Sequence, residues 1–379
     1  MTGGRMNFYP PEEQPDPLLC WLWLVHTLGY ASPCAGRVLE TFGDAQTAWE
    51  ERAGPEFRRA AGAAATQRAN QPGNTPESCR PLALRCRAAG VKILTYADED
   101  YPLALIRTPD LPPVLYCTGD TAYLNAPGAV GVVGSRRPDG YGIQAAGNFS
   151  RALAQQGAVI VSGLADGLDS EAHRAAVEAS APTIGVLGVS IDRTYPASNR
   201  LLRRKIEDCG CVISEYGPGE VVQPRAGFLQ RNRLIAGLSK ALLVIQAREK
   251  SGTMSTVGHA ERYGRPIFAL PGNVFSDYCT GTNGLIQSGR AKLALRPGDL
   301  FETLGLGDRP AAAVAPAQPR KELSDRERRV LGCMGAEPAS VEELAARSGL
   351  PTAALLSALM TLQLGGRVRA LPGQRYILR

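Results

Sequence analysis

Four short segments draw on glycines, hydroxyls and basic residues in patterns that suit the holding of phosphate. Gly134, Ser135, Arg136 and Arg137 follow the apolar run 130–133. Glycine lets the backbone approach a phosphate, a serine hydroxyl donates to it, and a guanidinium forks onto two of its oxygens. The segment SGLADGLDSEAH, 162–173, ends a second apolar run. Its Gly163 and Gly167 permit a tight turn ahead of a helix, capped by Asp169 or Ser170, whose N-terminus faces anions. Arg225, Phe228, Arg231, Asn232 and Arg233 cluster within QPRAGFLQRNRLIAGLS, 223–239, with Arg225 and Phe228 placed ahead of a helix over 229–238. Charges for phosphates beside a ring for a base are what single-stranded nucleic acid requires; core packing beneath the helix is the competing role for Phe228. Lys250, Ser251, Gly252 and Thr253, with Ser255 behind them, form another cradle of backbone and hydroxyl donors at a helix start.

Other chemistries find less support. Asp166, Asp169 and Glu171 are read as helix-start residues, because nothing places two carboxylates about a scissile bond. The nine cysteines are scattered without a C-x-x-C, and His26, His173 and His259 are isolated. Neither a zinc site nor a disulfide framework is expected, and a reducing cytoplasm is the natural setting. No G-x-x-x-x-G-K-[ST] occurs, and no G-x-G-x-x-G follows a strand with an acidic residue near the end of the next. No catalytic residue, cofactor or metal is therefore assigned.

The elements that position these segments are read from pattern. GVKILTY, PVLYCTG, GAVGVVG, AVIVSG, TIGVLG, CVISEYG, ALLVIQA and PIFALPG are short β-rich runs ending at polar or glycine residues. Helical stretches over 141–156, 170–180, 198–208, 229–238 and 253–264 lie between them. Such alternation predicts an α/β fold, a mostly parallel sheet with helices on both faces. Ligands of such sheets bind outside the carboxyl ends of the strands, where all four segments fall. Residues 17–70 read instead as short helices with glycine turns: Ser32 and Pro33 open one, Asp44 caps another, and 65–78 forms a loop. This head resembles a SAM-like or helix–hairpin–helix bundle, and a plain helical docking domain accounts for it equally.

Totals set bounds on this picture. At 379 residues the chain exceeds one ordinary core, so two or three domains are expected. A net charge of +6 is only mildly basic. Nearly all the basic residues are arginine, which compositional bias and phosphate recognition both explain. The apolar run 18–25 is far short of the roughly 18 residues of a membrane span, and it follows the acidic Glu12, Glu13 and Asp16. Neither a signal peptide nor a membrane partner is expected.

Taken together, GVVGSRRPDGYG, VSGLADGLDSEAHRAA, VISEYGPG, RNRLIAGLS and SGTMSTVGHAERYGRPIFALPGN resemble, in order and spacing, the DNA processing protein A (DprA/Smf) family over about residues 95–295. The resemblance implies an extended Rossmann-like fold. It also implies binding and protection of single-stranded DNA in natural transformation, loading of the RecA recombinase, self-association as a homodimer through the Rossmann-like domain, and no enzymatic turnover. Carried over by motif, the DNA pocket uses Gly134, Ser135, Arg136, Arg225, Phe228, Arg231, Asn232, Arg233, Ser251, Gly252 and Thr253, with Arg137, Gly163 and Lys250 beside them. Two positions depart from the family pattern: Leu229 stands where proline is common, and Arg225 where lysine is. The alternative is a Rossmann-like hydrolase that cleaves the ribose–base bond of nucleoside monophosphates. Its P-G-G-x-G-T-x-x-E pattern is not met, because SGTMSTVGHAE lacks the double glycine and offsets Glu261.

The expected organisation is a helical head over 1–79, an extended Rossmann-like domain over 80–306, an Ala/Pro linker over 307–321 and a winged-helix-like tail over 322–379. In the tail, Ser340 and Glu343 form a capping box, and the helix 352–364 precedes a hairpin. That helix carries no lysine or arginine; Arg367, Arg369, Arg375 and Arg379 lie in and after the wing. A helix reading a major groove supplies phosphate and base contacts. The tail is therefore expected to contact protein, or at most DNA without specificity. Footprinting residues 320–379 on duplex DNA should give no sequence-specific protection; a defined footprint would overturn this expectation.

Overall fold

Runs of valine, isoleucine and leucine that stop at glycine build a single nine-stranded sheet. The computed structural model describes residues 15–307, 323–335, 337–364, 367–371 and 373–378. Its strands are β1 (Lys92–Thr95), β2 (Val114–Gly119), β3 (Ala129–Val133), β4 (Val159–Ser162), β5 (Thr183–Val186), β6 (Cys211–Ser214), β7 (Ala241–Val244), β8 (Ile267–Ala269) and β9 (Lys292–Leu293). Their order across the sheet is β1-β2-β6-β5-β4-β3-β7-β8-β9. The pairings from β6 through β9 are all parallel. β1 and β2 form an antiparallel edge against β6. Every residue of β3, β4, β5, β6 and β7 is buried, as expected where helices cover both faces. This is the mostly parallel architecture that the strand grammar predicts, extended and Rossmann-like as the family resemblance implies. β9 escaped the pattern because two exposed residues carry no periodicity.

The strand order reverses at β3. β4, β5 and β6 are laid down on one side of it, and β7, β8 and β9 on the other. The crevice outside the carboxyl ends of β3 and β7 is thus where such a sheet takes ligands.

Two helix starts beside that crevice differ from expectation. The helix Pro224–Leu238 begins five residues before 229, with Pro224 in its first turn, where a fixed φ suits proline. Arg225 and Phe228 are therefore helical. Gly227 does not break this helix but lets it press on the loop after β5, since a Cβ there would come 2.2 Å from Gly188 O. The helix Leu168–Glu178 starts after Gly167 at φ +81°, with no side-chain cap. Ser170 Oγ instead donates to Ala165 O.

The head comprises the helices Pro17–Leu28, Ala35–Phe42, Ala45–Glu50, Pro55–Ala61 and Ala63–Ala69. Asp44 caps the third, accepting from Thr47 N at 2.8 Å. The second starts at Ala35 rather than at Pro33, and Ser32 Oγ accepts from Cys34 N. Residues 63–69, expected partly as loop, are helical because Ala65 and Ala69 are buried and Arg68 Nε closes the first helix by donating to Thr27 O at 2.8 Å. The head also grips the core: Glu220 accepts from Tyr30 Oη and from Gly217 N (2.6 Å), just ahead of the Pro224–Leu238 helix.

The tail has the helices Asp325–Gly332, Val341–Ser348 and Thr352–Leu364 and a small sheet of Ala339–Ser340, Val368–Leu371 and Arg375–Leu378. The Ser340–Glu343 capping box is formed. Arg369 Nη1 donates to Glu171 Oε2 at 2.6 Å, joining wing to core. The linker 307–321, apart from Gly307, and Arg379 lie outside the described residues. No helix among the described residues is long and apolar enough to cross a membrane.

Arg233, expected on the binding face, is 3% exposed and pairs with Glu215 beyond β6, itself 4% exposed. Five residues past Phe228, it turns to another side of the helix. Removing one member of a buried pair leaves an uncompensated charge and costs about 3–5 kcal/mol. Arg233→Ala should therefore lower the urea midpoint of the sheet domain markedly; an unchanged midpoint would contradict this placement.

Candidate nucleic-acid interface

The carboxyl ends of β3 and β7 open into a cleft of about 820 Å³. The turn after β3 forms one wall. Ser135 N donates to Gln246 O at 2.8 Å and Leu168 N to Ser135 O at 3.2 Å, so the turn is held from both sides. Two glycines allow this fit. A Cβ on Gly134 would stand 2.4 Å from Leu168 Cδ1, and one on Gly167 2.4 Å from Ser135 O. Thr253 Oγ1 donates to Gly134 O at 3.1 Å and joins the second cradle to the first. Ser135 Oγ accepts from Arg137 N at 3.1 Å, which leaves its hydroxyl proton for a ligand.

Arg231 makes the floor. Its guanidinium lies over Gly163, where a Cβ would be 1.8 Å from Nη1, and Nη1 donates to Val186 O at 2.6 Å. Burial pushes its pKa down to about 10, opposed by the charge of Asp169, so it remains a cation at neutral pH. The same burial raises the Asp169 carboxyl, and Arg231 works against that rise. Arg231 Nε and Ser251 Oγ are buried with no hydrogen-bond partner among the described residues. Both residues line the cleft. A buried donor left without a partner costs about 1–3 kcal/mol, so an anion arriving here would satisfy an existing deficit.

The Pro224–Leu238 helix supplies the facing wall. Arg136 Cζ stands 4.8 Å from the Phe228 ring centroid. The Tyr195 ring lies 5.1 Å from Phe228, with the planes at 39°. Phe228 is half-buried: its edge rests on Gly188, where a Cβ would be 2.7 Å from Cδ1, while the residue also lines the cleft. The two roles considered for this ring are thus combined in its position. Asn232 Nδ2 donates to Gly252 O at 3.3 Å and bridges the helix to the second cradle. Arg136, Arg225, Arg231, Arg248 and Lys250 face Asp169 and Glu249 around the cleft, five cations against two carboxylates.

Of the residues singled out by sequence, Gly134, Ser135, Arg136, Arg225, Phe228, Arg231, Asn232, Lys250, Ser251, Gly252 and Thr253 are brought together. Arg137 is exposed outside the lining, Gly163 lies beneath Arg231, and Arg233 is buried elsewhere. Among the lining residues outside that set are Arg248 and Tyr195. Arg248, whose guanidinium stands 5.0 Å from the Tyr278 ring centroid, sits only two positions before Lys250. Tyr195 belongs to the loop after β5, where the signal was an aromatic residue close to two arginines, Arg193 and Arg200. Glu261 does not line the cleft; Arg290 holds it with two hydrogen bonds of 2.7 and 2.9 Å. Among the described residues no group of three or more His, Cys, Asp or Glu is placed to hold a metal.

Comparison with known proteins bears on this geometry. Residues 92–305 match the family model of DNA recombination-mediator protein A, and residues 314–374 that of the DprA winged helix domain. Protein Smf of Synechocystis is 33% identical over 318 residues, covering 75% of this chain and 79% of that protein. The X-ray structure of DNA processing protein A from Streptococcus pneumoniae superposes with a TM-score of 0.63 at 29% identity, over 75% of this chain and 97% of that one. The Helicobacter pylori protein, whose structure describes a single-stranded DNA binding mode, gives a TM-score of 0.52 at 36% identity, over 56% and 95%. The motif order, the extent of the matches and the shared sheet agree, and the chain belongs to the DNA recombination-mediator protein A (DprA) family.

Proposed function

We propose that this protein binds single-stranded DNA in the cleft beyond β3 and β7, without turnover. The observation that carries the proposal is the Arg136 guanidinium over the Phe228 ring, beside the buried, unpartnered donors of Arg231 and Ser251. A phosphate draws Arg136 off the ring, and a base takes its place. Ser135, Gly252 and Thr253 offer further donors, Arg225, Arg248 and Lys250 take neighbouring phosphates, and Arg231 supplies fixed charge from below. Arg137 flanks the entrance, and Gly163 acts by making room for Arg231. A run of phosphates is favoured over one nucleotide because five cations line the cleft together with two cradles and a ring. The binding mode described for the Helicobacter pylori relative supports this reading. The absence of Glu261 from the cleft lining counts against the hydrolase alternative.

The wider role proposed is the one the family resemblance implies: protection of incoming single-stranded DNA in natural transformation and loading of RecA onto it, in the cytoplasm. The free thiols of all nine cysteines suit that compartment. We further propose that the chain works as the units 1–79, 80–306 and 322–379 joined by 307–321, and that it pairs as a homodimer through the Rossmann-like domain. Exposed apolar side chains following β8 and β9 support the pairing, with Val274, Phe275 and Leu295 being 76%, 94% and 69% exposed.

Arg136→Ala and Arg225→Ala should each flatten the slope of log K against log salt for oligo-dT by about 0.7, the single-strand value per phosphate. Phe228→Ala should weaken binding by about 1–3 kcal/mol and leave that slope unchanged. Unaltered affinity in all three variants would exclude the cleft as the binding site. Phe275→Glu should shift the mass measured by light scattering from dimer to monomer; a dimer persisting in this variant would reject that surface.

A further inference from the structure

We infer that the DNA track does not end at Phe228 but continues over Tyr195 into a second cleft, which holds the next nucleotide. The inference rests on the reading of the first cleft as a single-strand site. The second cleft, of about 420 Å³, lies beside the first, and Tyr195 lines both. Tyr195 is 51% exposed, although its ring packs 5.1 Å from that of Phe228. Two adjoining rings, one in each cleft, form the kind of platform on which successive bases stack.

The second cleft is equipped for phosphate as well. Arg193 and Arg200 line it, both exposed, and neither side chain makes an ion pair or hydrogen bond among the described residues. Ser190, 1% exposed, lines it too, and its Oγ has no partner among the described residues. The carboxylates present are already engaged. Asp192 Oδ2 accepts from Gly219 N at 3.2 Å, and Glu220 accepts from Tyr30 Oη and Gly217 N and meets His26 Nε2 at 3.2 Å. Both carboxylates keep their charge, but Glu220 is offset by His26, whose hydrogen bonds to Cys79 and Glu220 raise its pKa to about 9, so Arg193 and Arg200 outnumber Asp192 by one positive charge. The loop that carries Tyr195 is braced from beneath. Arg203, 7% exposed, donates to Ile191 O at 2.6 Å and to Arg193 O at 2.8 Å, and pairs with Glu207 at 2.9 Å. The ring is thus presented by a braced loop, and little ordering is left for the ligand to impose.

The test is anisotropy of the full chain against a ladder of oligo-dT from roughly 4 to 16 nucleotides, the range of site sizes of single-strand-binding OB folds. On the longer oligonucleotides, Tyr195→Ala should weaken binding about tenfold with the salt slope unchanged. The double variant Arg193→Ala/Arg200→Ala should flatten that slope by about 1.4, two phosphates' worth. On the shortest oligonucleotides, which fill only the first cleft, the double variant should match the parent and Tyr195→Ala should lose clearly less affinity than on the longer ones. Tyr195→Phe, which keeps the ring, should bind as the parent does, and this arm decides the matter should Tyr195→Ala prove less stable. Fluorescence from Tyr195→Trp should be quenched by the longer oligonucleotides alone. The inference fails if Tyr195→Ala and the double variant match the parent at every length while Phe228→Ala still weakens binding; the first-cleft reading then stands. It fails also if Tyr195→Ala weakens all lengths equally, which would make Tyr195 a support for Phe228. If Phe228→Ala and Arg136→Ala are silent throughout, the first-cleft reading itself is lost.

Discussion

A guanidinium fills the space that Gly163 leaves open, and the cleft is arranged around it. Arg231 reaches from its helix to the carboxyl ends of β4 and β5, donates to Val186 O and shares its burial with Asp169. Burying a cation costs several kcal/mol unless hydrogen bonds and opposite charge offset it. Here the offset is partial, because Nε has no partner among the described residues. The helix is thereby fixed over the sheet edge, with Phe228 three positions before Arg231 and Asn232 one after. An unsatisfied positive floor also makes the cleft more favourable to an anion than its exposed rim alone would.

The topology places this floor where it can act. The reversal of strand order at β3 leaves a crevice between the turns after β3 and β7. Gly134 and Ser135 in one turn and Ser251, Gly252 and Thr253 in the other bring backbone and hydroxyl donors to the cleft beside the basic side chains of Arg136, Arg248 and Lys250. Thr253 and Asn232 tie the two turns and the helix together with hydrogen bonds of 3.1 and 3.3 Å. The head contributes from a distance: by holding Glu220 and packing Tyr30 on Tyr216 at 4.6 Å, it steadies the chain just before Pro224. The wing does the equivalent on another side through Arg369 and Glu171.

Much of this was legible in the sequence, for physical reasons that differ by residue. Doubly buried parallel strands appear as continuous apolar runs, so β3 to β8 stood out. Phosphate-type turns need glycine and hydroxyls, so the 134–136 and 250–253 segments stood out too. Burial within the arginine cluster did not. Nothing local separates Arg225, exposed at the rim, from Arg233, locked to Glu215 eighteen residues away. The early start of the Pro224–Leu238 helix was hidden by Gly227, whose need is a tertiary one, close approach to Gly188. Tyr195 was passed over because its partner ring, Phe228, is remote in sequence and meets it only when the loop after β5 folds back.

A cleft built for a chain of phosphates discriminates against a single nucleotide. The most direct measurement is displacement of a fluorescent oligo-dT from the full protein, followed by anisotropy, with AMP, dTMP and NAD as competitors. Unlabelled oligo-dT should displace the probe stoichiometrically, whereas the three small molecules should leave it bound even in large excess. Displacement by a mononucleotide as readily as by the oligonucleotide, or release of free base from AMP, would contradict this reading.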